Sequence, residues 1–244
     1  MKSYDDETYG NTWAEVYDDL FQNRDDLELV SETLSKLAGT GPALEFGIGT
    51  GRTAIPLAKL GIKVHGIDTS QAMIDKMLTK PGGDEIPITL GSFTDVRVEG
   101  SFSLVFIVFS TLFQLGSQEE QVRCFANAAH HLEDKGVFVV EAFVHDRTRW
   151  NRGQDVSVTK IDDNFVDIHV AMHDPVRQLI FTQHLDISPS GIQFRPTRLR
   201  YAWPSELDLM ARLAGLRLRE RWSGWNRAPF TADSGSHVSV YEKI

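Results

Sequence analysis

The sequence predicts an α/β fold: a largely parallel sheet with helices on both faces, carrying an inserted antiparallel β-meander. Three observations predict it. Apolar, strand-like runs alternate with amphipathic helical ones between residues 42 and 144. A glycine-rich turn, Gly47-Ile48-Gly49-Thr50-Gly51, joins the first such strand to a helix. Between residues 155 and 201, four strand-like runs follow one another with only turn signals between them.

Taken in order, residues 8–21 read as a helix with Trp13, Val16, Tyr17, Leu20 and Phe21 on one apolar face. Residues 25–37 read as a second helix, ended by the breaker Ala38-Gly39-Thr40-Gly41-Pro42. The apolar run 42–46 then enters the glycine turn. There the chain must bend sharply and let a ligand approach the backbone, and a Cβ would obstruct both. Residues 52–59 read as a helix whose N-terminus points back at the turn, an arrangement suited to an anionic or nucleotide ligand. Residues 62–67 form the next strand. Asp68 closes it about 20 residues beyond the first glycine, where a βαβ unit places an acid against a pair of ribose hydroxyls.

A helix over 70–78 follows, with Thr69 or Ser70 placed to cap it; Met73 suits either the underside of an adenine ring or the core. Residues 86–90 supply a third strand. Residues 102–109 are almost wholly apolar, as befits a central strand buried on both faces. Residues 118–132 read as a helix and 136–144 as a fifth strand running into His145. The four runs of the meander are 156–161, 165–172, 176–187 and 192–201. In the second, Ile168, Val170 and Met172 alternate with Asp167, His169 and Ala171, which predicts one packed and one wet face. Pro204 opens a last helix that Gly215 ends, and strands over 216–222 and 237–241 close the chain.

A dinucleotide fingerprint would put its third glycine where Arg52 stands; here it is Gly51, and an acid, Glu45, precedes the turn. Glu45-x-Gly47-x-Gly49-x-Gly51 followed by Gly66-Ile67-Asp68-Thr69-Ser70 resembles the cofactor-binding region of the class I S-adenosylmethionine-dependent methyltransferases. The resemblance implies a Rossmann-like seven-stranded mixed sheet, completed by a C-terminal antiparallel hairpin, and S-adenosyl-L-methionine as cofactor. It places Glu45, Gly47, Gly49, Gly51, Asp68, Thr69 and Met73 at the cofactor. It also implies that the aromatic N-terminal helix closes over that site, so that Tyr9, Trp13 and Tyr17 reach the methionine carboxylate or the substrate. The family often has Gly-Asp after the third strand, meeting the adenine amino group; this chain has Gly91-Ser92-Phe93, which leaves Ser92 and Phe93 in that place. Phe109 and Phe113 lie in the loop where similar enzymes set cofactor-backing and substrate-facing side chains, and Ser110 stands where the family often has Asn. Three segments follow: a lid helix and cofactor core over 1–154, an insertion over 155–201 that covers substrate or makes an oligomer contact, and a closing helix and hairpin over 202–244.

With 244 residues, 41% hydrophobic and 24% charged, the chain accommodates one such domain with its insertion. It has no apolar run of membrane-spanning length, and its polar first seven residues lack a signal-peptide core, so a cytoplasmic protein is expected. One cysteine, Cys124, allows neither an intrachain disulfide nor a cysteine metal cluster. A net charge of −9 argues against nucleic acid as a partner. A small-molecule substrate is the expectation, with the protein a monomer or homodimer and no metal.

If the cofactor carries an activated methyl group, the chemistry is in-line displacement by a small-molecule acceptor, N- or O-methylation being favoured, driven mainly by proximity. His145, at the end of the fifth strand, is the candidate general base, with an imidazole suited to the task; it equally fits a loop residue without chemistry. Phe113, His145 and Trp150 are candidates to line the substrate pocket, as is Arg200 for an acidic group, though core packing and ion pairs account for such residues as readily. His169, His173 and His184 lack metal-ligand spacing. The alternatives are a noncatalytic S-adenosylmethionine-fold binding protein and an NAD-dependent oxidoreductase.

Overall fold

The computed structural model describes Tyr4, residues 8–21 and residues 26–244. Position 25, where the second helix is predicted to begin, and the polar stretch 1–7, Tyr4 apart, lie outside the described residues, as does the side chain of Phe21.

Seven strands form one sheet. β1 (Ala43–Phe46), β2 (Val64–Asp68), β3 (Ile88–Leu90), β4 (Phe102–Ile107) and β5 (Leu132–Phe143) run parallel, while β10 (Leu216–Trp222) and β11 (Ser236–Lys243) add an antiparallel hairpin, in the order β10-β11-β5-β4-β1-β2-β3. This is the mixed, Rossmann-like sheet the resemblance implies. Both its faces are covered, and successive residues of β4 and β5 feed opposite cores. Val105, Ile107, Phe138 and Val140 pack with Cys124 and Phe125 of α6 (Gln118–His131) and Leu207 and Met210 of α7 (Pro204–Leu213). Leu104, Phe106, Val137 and Val139 pack instead with Val30 and Leu34 of α3 (Leu27–Ala38) and Ile55 and Leu57 of α4 (Ala54–Lys59). Every side chain of β4 is therefore buried, which is why its sequence shows no polar alternation. Local signals set the helix ends. Ser117 caps α6, accepting from the Glu120 amide at 3.2 Å and donating to the Glu120 carboxylate at 2.7 Å. Ser70 caps α5 (Gln71–Leu78) by accepting from the Met73 amide. Among the described residues no helix is long and apolar enough to cross a membrane.

The single helix predicted over 8–21 is two, α1 (Thr8–Trp13) and α2 (Tyr17–Phe21), with a turn between. The break lets Trp13 turn inward, stacked on Tyr9 at 5.7 Å and edge-on to His184 at 4.9 Å, while α2 follows the glycine turn.

The insertion is a four-stranded antiparallel sheet, β6 (Gln154–Asp162), β7 (Phe165–Asp174), β8 (Leu179–Ser188) and β9 (Gly191–Arg200). One face is packed and the other exposed, and the packed one is the polar one. Asp167 and Ala171 are buried, as are Thr182, Arg195 and Thr197 on the neighbouring strands, whereas Met172 on the apolar face is exposed. The polar face packs inward with its charges paired within the sheet itself: Arg195 pairs with Asp186 and His184 faces Asp167, while the Arg195 guanidinium lies over the Trp13 ring of α1.

Candidate active site

Two cavities meet at the carboxyl ends of the parallel strands, the end at which open α/β sheets bind ligands. The first is walled by Gly47 and Gly49 after β1, by Asp68, Thr69, Ser70 and Met73 around the β2–α5 turn, and by Ser92 and Phe93 after β3. Phe109, Thr111, Gln114 and Leu115 close it from the β4 loop, and Tyr4, Tyr9, Gly10 and Tyr17 from the N-terminal segment. Its floor is the glycine turn. The amides of Gly47 and Ile48 both donate to the Ile67 carbonyl, at 2.8 and 3.1 Å, and Gly47, Gly49 and Gly51 all adopt positive φ. Asp68 ties this turn to α5, its carboxylate accepting from the Gly49 amide at 2.7 Å and the Ser70 amide at 2.9 Å. Burial raises the Asp68 carboxyl above its ordinary range, and the amide bonds oppose that shift.

The glycines differ in what they make room for. A Cβ on Gly47 would strike the Thr111 methyl at 2.5 Å, and one on Gly51 would meet Met77 at 2.8 Å, so Gly51 serves helix–sheet packing behind the cleft. A Cβ on Gly49 would find no protein atom nearer than the Gly47 carbonyl at 4.0 Å. Gly49 thus leaves room in front of the turn that the protein itself does not use, as a bound nucleotide requires.

The N-terminal segment is docked on this cradle by polar contacts. Thr50 donates to Asp18 at 2.7 Å, and Lys80 reaches both Asp18 and the Thr50 carbonyl at 2.7 Å. Gly10 passes so close to Ser70 that a Cβ would lie 2.3 Å from it. Arg52 completes the closure: its guanidinium stacks on Phe109 at 3.7 Å and donates to the Tyr17 hydroxyl at 3.1 Å. Behind Arg52, Glu45 is buried, and burial, with Asp68 nearby, raises its carboxyl well above the usual range. The Ala54 amide, at the start of α4, and the Arg52 guanidinium oppose that shift.

The second cavity lies on the other side of Tyr9, Tyr17 and Phe109, which border both, and is completed by Leu20, Arg52, Ser110, Glu141, Ala142, Phe143 and Ser236. Phe109 and Ser110, with φ of 56° and 61°, are successive non-glycine residues in the left-handed region, a conformation costing about 1–3 kcal/mol each. Three bonds hold them there: the Phe109 amide to the Glu141 carboxylate at 2.9 Å, the Ser110 amide to the Glu141 carbonyl at 3.2 Å, and the Phe143 amide to the Ser110 hydroxyl at 3.1 Å. The strained pair sets the Phe109 ring between the cavities.

Of the cofactor residues read from the sequence, Tyr9, Tyr17, Gly47, Gly49, Asp68, Thr69, Met73, Ser92, Phe93 and Phe109 line the first cavity. Trp13, Glu45 and Gly51 stand behind its wall. The residues expected at the substrate are not brought there. Phe113 is fully buried against Phe143 because the 3₁₀ turn Thr111–Gln114 points it into the core. His145 lies beyond the end of β5, stacked on Tyr201 at 3.9 Å and beside His173 and Trp150, in an aromatic wedge at the root of the meander. Burial lowers its pKa to about 4, and its Nε2 has no hydrogen-bond partner. Arg200 is buried in a knot that joins β9 to α6 and α7, donating to Gln121 at 2.6 Å and Glu206 at 2.7 Å. Among the described residues no group of three His, Cys, Asp or Glu side chains is placed to hold a metal.

These placements make two predictions. Arg200→Ala breaks a buried ion pair and should cost about 3–5 kcal/mol of stability, while the folded fraction keeps wild-type affinity for S-adenosylhomocysteine; denaturant melts and calorimetry separate the two. The folded protein holds His145 neutral down to about pH 4, whereas an unfolded histidine takes its proton near 6.5, so protonation favours the unfolded chain between those values. The melting temperature of His145→Phe relative to wild type should therefore rise as pH falls from about 6.5 to about 4. A constant difference would remove His145 from the acid response.

Comparison with known proteins agrees with this geometry. Residues 43–136 match the methyltransferase domain family. An uncharacterised methyltransferase from Geobacillus sp. (strain WCH70) is 32% identical over 152 residues, covering 62% of this chain and 67% of that protein. The cypemycin N-terminal methyltransferase from Streptomyces sp. is 26% identical over 253 residues, 98% of this chain and 99% of the relative. The CcbJ methyltransferase from Streptomyces caelestis has the same fold at a TM-score of 0.93 with 39% identity, covering 99% of this chain and 100% of that one. By sequence and by fold, this chain belongs to the class I S-adenosylmethionine-dependent methyltransferases.

Proposed function

We propose that the enzyme methylates a nitrogen of a small-molecule amine that enters through the second cavity. One observation carries the reading: the cofactor cleft and the second cavity share the wall formed by Tyr9, Tyr17 and Phe109, and among the described residues no histidine borders either cavity. When bound, S-adenosylmethionine supplies a methyl group already activated by its sulfonium. The chain need only align donor and acceptor, which can contribute roughly 7–11 kcal/mol. An amine sheds its proton to water and needs no dedicated base, whereas a phenol or alcohol more often does.

In this reading Asp68 holds the ribose hydroxyls, Met73 and Phe93 flank the adenine, and Ser92 offers it a hydrogen bond. Arg52 and Tyr17 supply a cation and a hydroxyl suited to the methionyl carboxylate. Tyr9, whose phenol burial keeps firmly protonated, closes the cleft against water. Glu141 gives the second cavity an acidic wall that suits a protonated amine as it arrives. The meander over 155–201 backs the lid through Trp13, which His184 and Arg195 hold from behind. The cypemycin relative, named for methylation at an N-terminus, supports nitrogen as the acceptor atom.

The test is turnover with S-adenosylmethionine against panels of amines, phenols and carboxylates, reading S-adenosylhomocysteine and the methylated product by mass spectrometry. Transfer to amines is expected. Turnover confined to phenols or carboxylates would overturn the assignment of nitrogen.

A further inference from the structure

The Ser92 hydroxyl, on the wall of the cofactor cleft, belongs to a short chain of hydrogen bonds in the turn after β3. Its Oγ lies 2.8 Å from Thr94 Oγ1, which in turn lies 2.7 Å from the Asp95 carboxylate. A carboxylate only accepts, so the Thr94 proton goes to Asp95. Thr94 then has only a lone pair to offer Ser92, and the Ser92 proton goes to Thr94. The Ser92 Oγ also accepts from the Thr94 amide at 3.3 Å. A serine hydroxyl has one proton and two lone pairs, so a single lone pair is left for the cleft. The turn fixes these positions. The Asp95 and Val96 amides both donate to the Ser92 carbonyl, at 3.1 and 2.9 Å, and Thr94 is buried. Arg123 of α6 pairs with the other oxygen of Asp95 at 3.3 Å, which leaves the first to Thr94.

We infer that Asp95 and Thr94 make Ser92 an acceptor only, so that the cleft selects a purine with a 6-amino group over one with a 6-oxo group. The inference rests on the placement of the adenine beside Ser92 proposed above, and Asp95 and Thr94 enter it as positioning residues that act through Ser92. An adenine amino group donates, and it meets the remaining lone pair. A 6-oxo purine brings a carbonyl oxygen to the same place. Two acceptors then face each other and neither is satisfied, the mismatch that a hydrogen-bonding site rejects most strongly. A serine by itself would not discriminate, because its hydroxyl rotates to donate or accept as the ligand requires. The discrimination comes from Asp95, an exposed residue outside the cleft wall, whose carboxylate sets the direction of both protons.

Calorimetry on the full chain with S-adenosylhomocysteine and S-inosylhomocysteine tests the proposal, using wild type, Ser92→Ala, Thr94→Val and Asp95→Ala. Wild type is expected to bind the adenosyl ligand at least about tenfold more tightly than the inosyl one. In Thr94→Val and in Asp95→Ala the Ser92 proton is free to turn toward the ligand. Each should therefore bind the inosyl ligand at least about threefold more tightly than wild type does, with adenosyl affinity held within about twofold. Loosened packing does not tighten the weaker ligand. Asp95 is exposed, so its variant keeps the readout should Thr94→Val fail to fold. A ratio that the folded variants leave unchanged overturns the relay, as does one that falls only through weaker adenosyl binding, or a wild type that binds both ligands equally. Ser92→Ala separates this failure from that of the underlying placement. It should weaken adenosyl binding about threefold to tenfold, and unchanged affinity would overturn the placement of the base beside Ser92 and the relay with it.

Discussion

Asp68→Ala is expected to weaken S-adenosylhomocysteine binding at least about 100-fold, since each hydrogen bond to a charged carboxylate contributes about 1.5–3 kcal/mol and a ribose offers two hydroxyls. Part of the loss is indirect. The carboxylate also holds the Gly49 and Ser70 amides, so its removal loosens the turn against α5. Gly49 and Ser70 both line the cleft, and losing one acceptor there should lower the melting temperature by only a few degrees, about 1 kcal/mol. Asp68→Asn separates the contributions: its remaining carbonyl oxygen can still accept from Gly49 but cannot bind a ribose pair as a carboxylate does, so it should lie between wild type and alanine. Unchanged affinity in a folded Asp68→Ala protein would remove the acid from the cofactor site.

Gly49→Val should take binding below detection for a different reason. At φ of +55° a β-branched residue is strained by roughly 1–3 kcal/mol, yet its Cβ meets no protein atom closer than 4.0 Å, so the fold accommodates it. What the side chain obstructs is the space in front of the turn. The neighbouring glycines are poorer tests, because valine at Gly47 collides with Thr111 and at Gly51 with Met77, and either change would confuse lost folding with lost binding. Circular dichroism and calorimetry on Gly49→Val give the separation. A folded variant that still binds would show that the ligand lies elsewhere.

The cradle was legible because its constraints are local. Three glycines at alternate positions, a buried strand before them and an acid closing the next strand are each dictated by backbone geometry within about 20 residues. The alternation of strands and helices predicts the parallel part of the sheet, the family resemblance implies its closing hairpin, and the turns predict the meander. What the sequence hid depends on long-range packing. Alternation along β7 shows that Ile168, Val170 and Met172 share a face, but not which face turns inward; that depends on what the sheet packs against, here Trp13 of α1, far away in sequence, which His184 meets edge-on. Its place at a strand end points His145 at the cleft, yet stacking on Tyr201, the last residue of the insertion, holds it outside. The sequence allows Arg200 to meet an acidic substrate or to form ion pairs on a strand; the partners that bury it, Gln121 and Glu206, come from α6 and α7. The Asp18–Thr50–Lys80 latch joins three segments that no motif links, and Arg52, adjacent to the last glycine, was visible as a residue but not as the bridge between Phe109 and Tyr17.

Calorimetric titration of the wild-type enzyme with S-adenosylhomocysteine, alongside NAD⁺ under the same conditions, tests most directly the claim that the glycine turn and Asp68 form a methyl-donor site. Saturable binding of one S-adenosylhomocysteine per chain, with no heat from NAD⁺, is the predicted result; saturable NAD⁺ binding, or no response to S-adenosylhomocysteine, would contradict it.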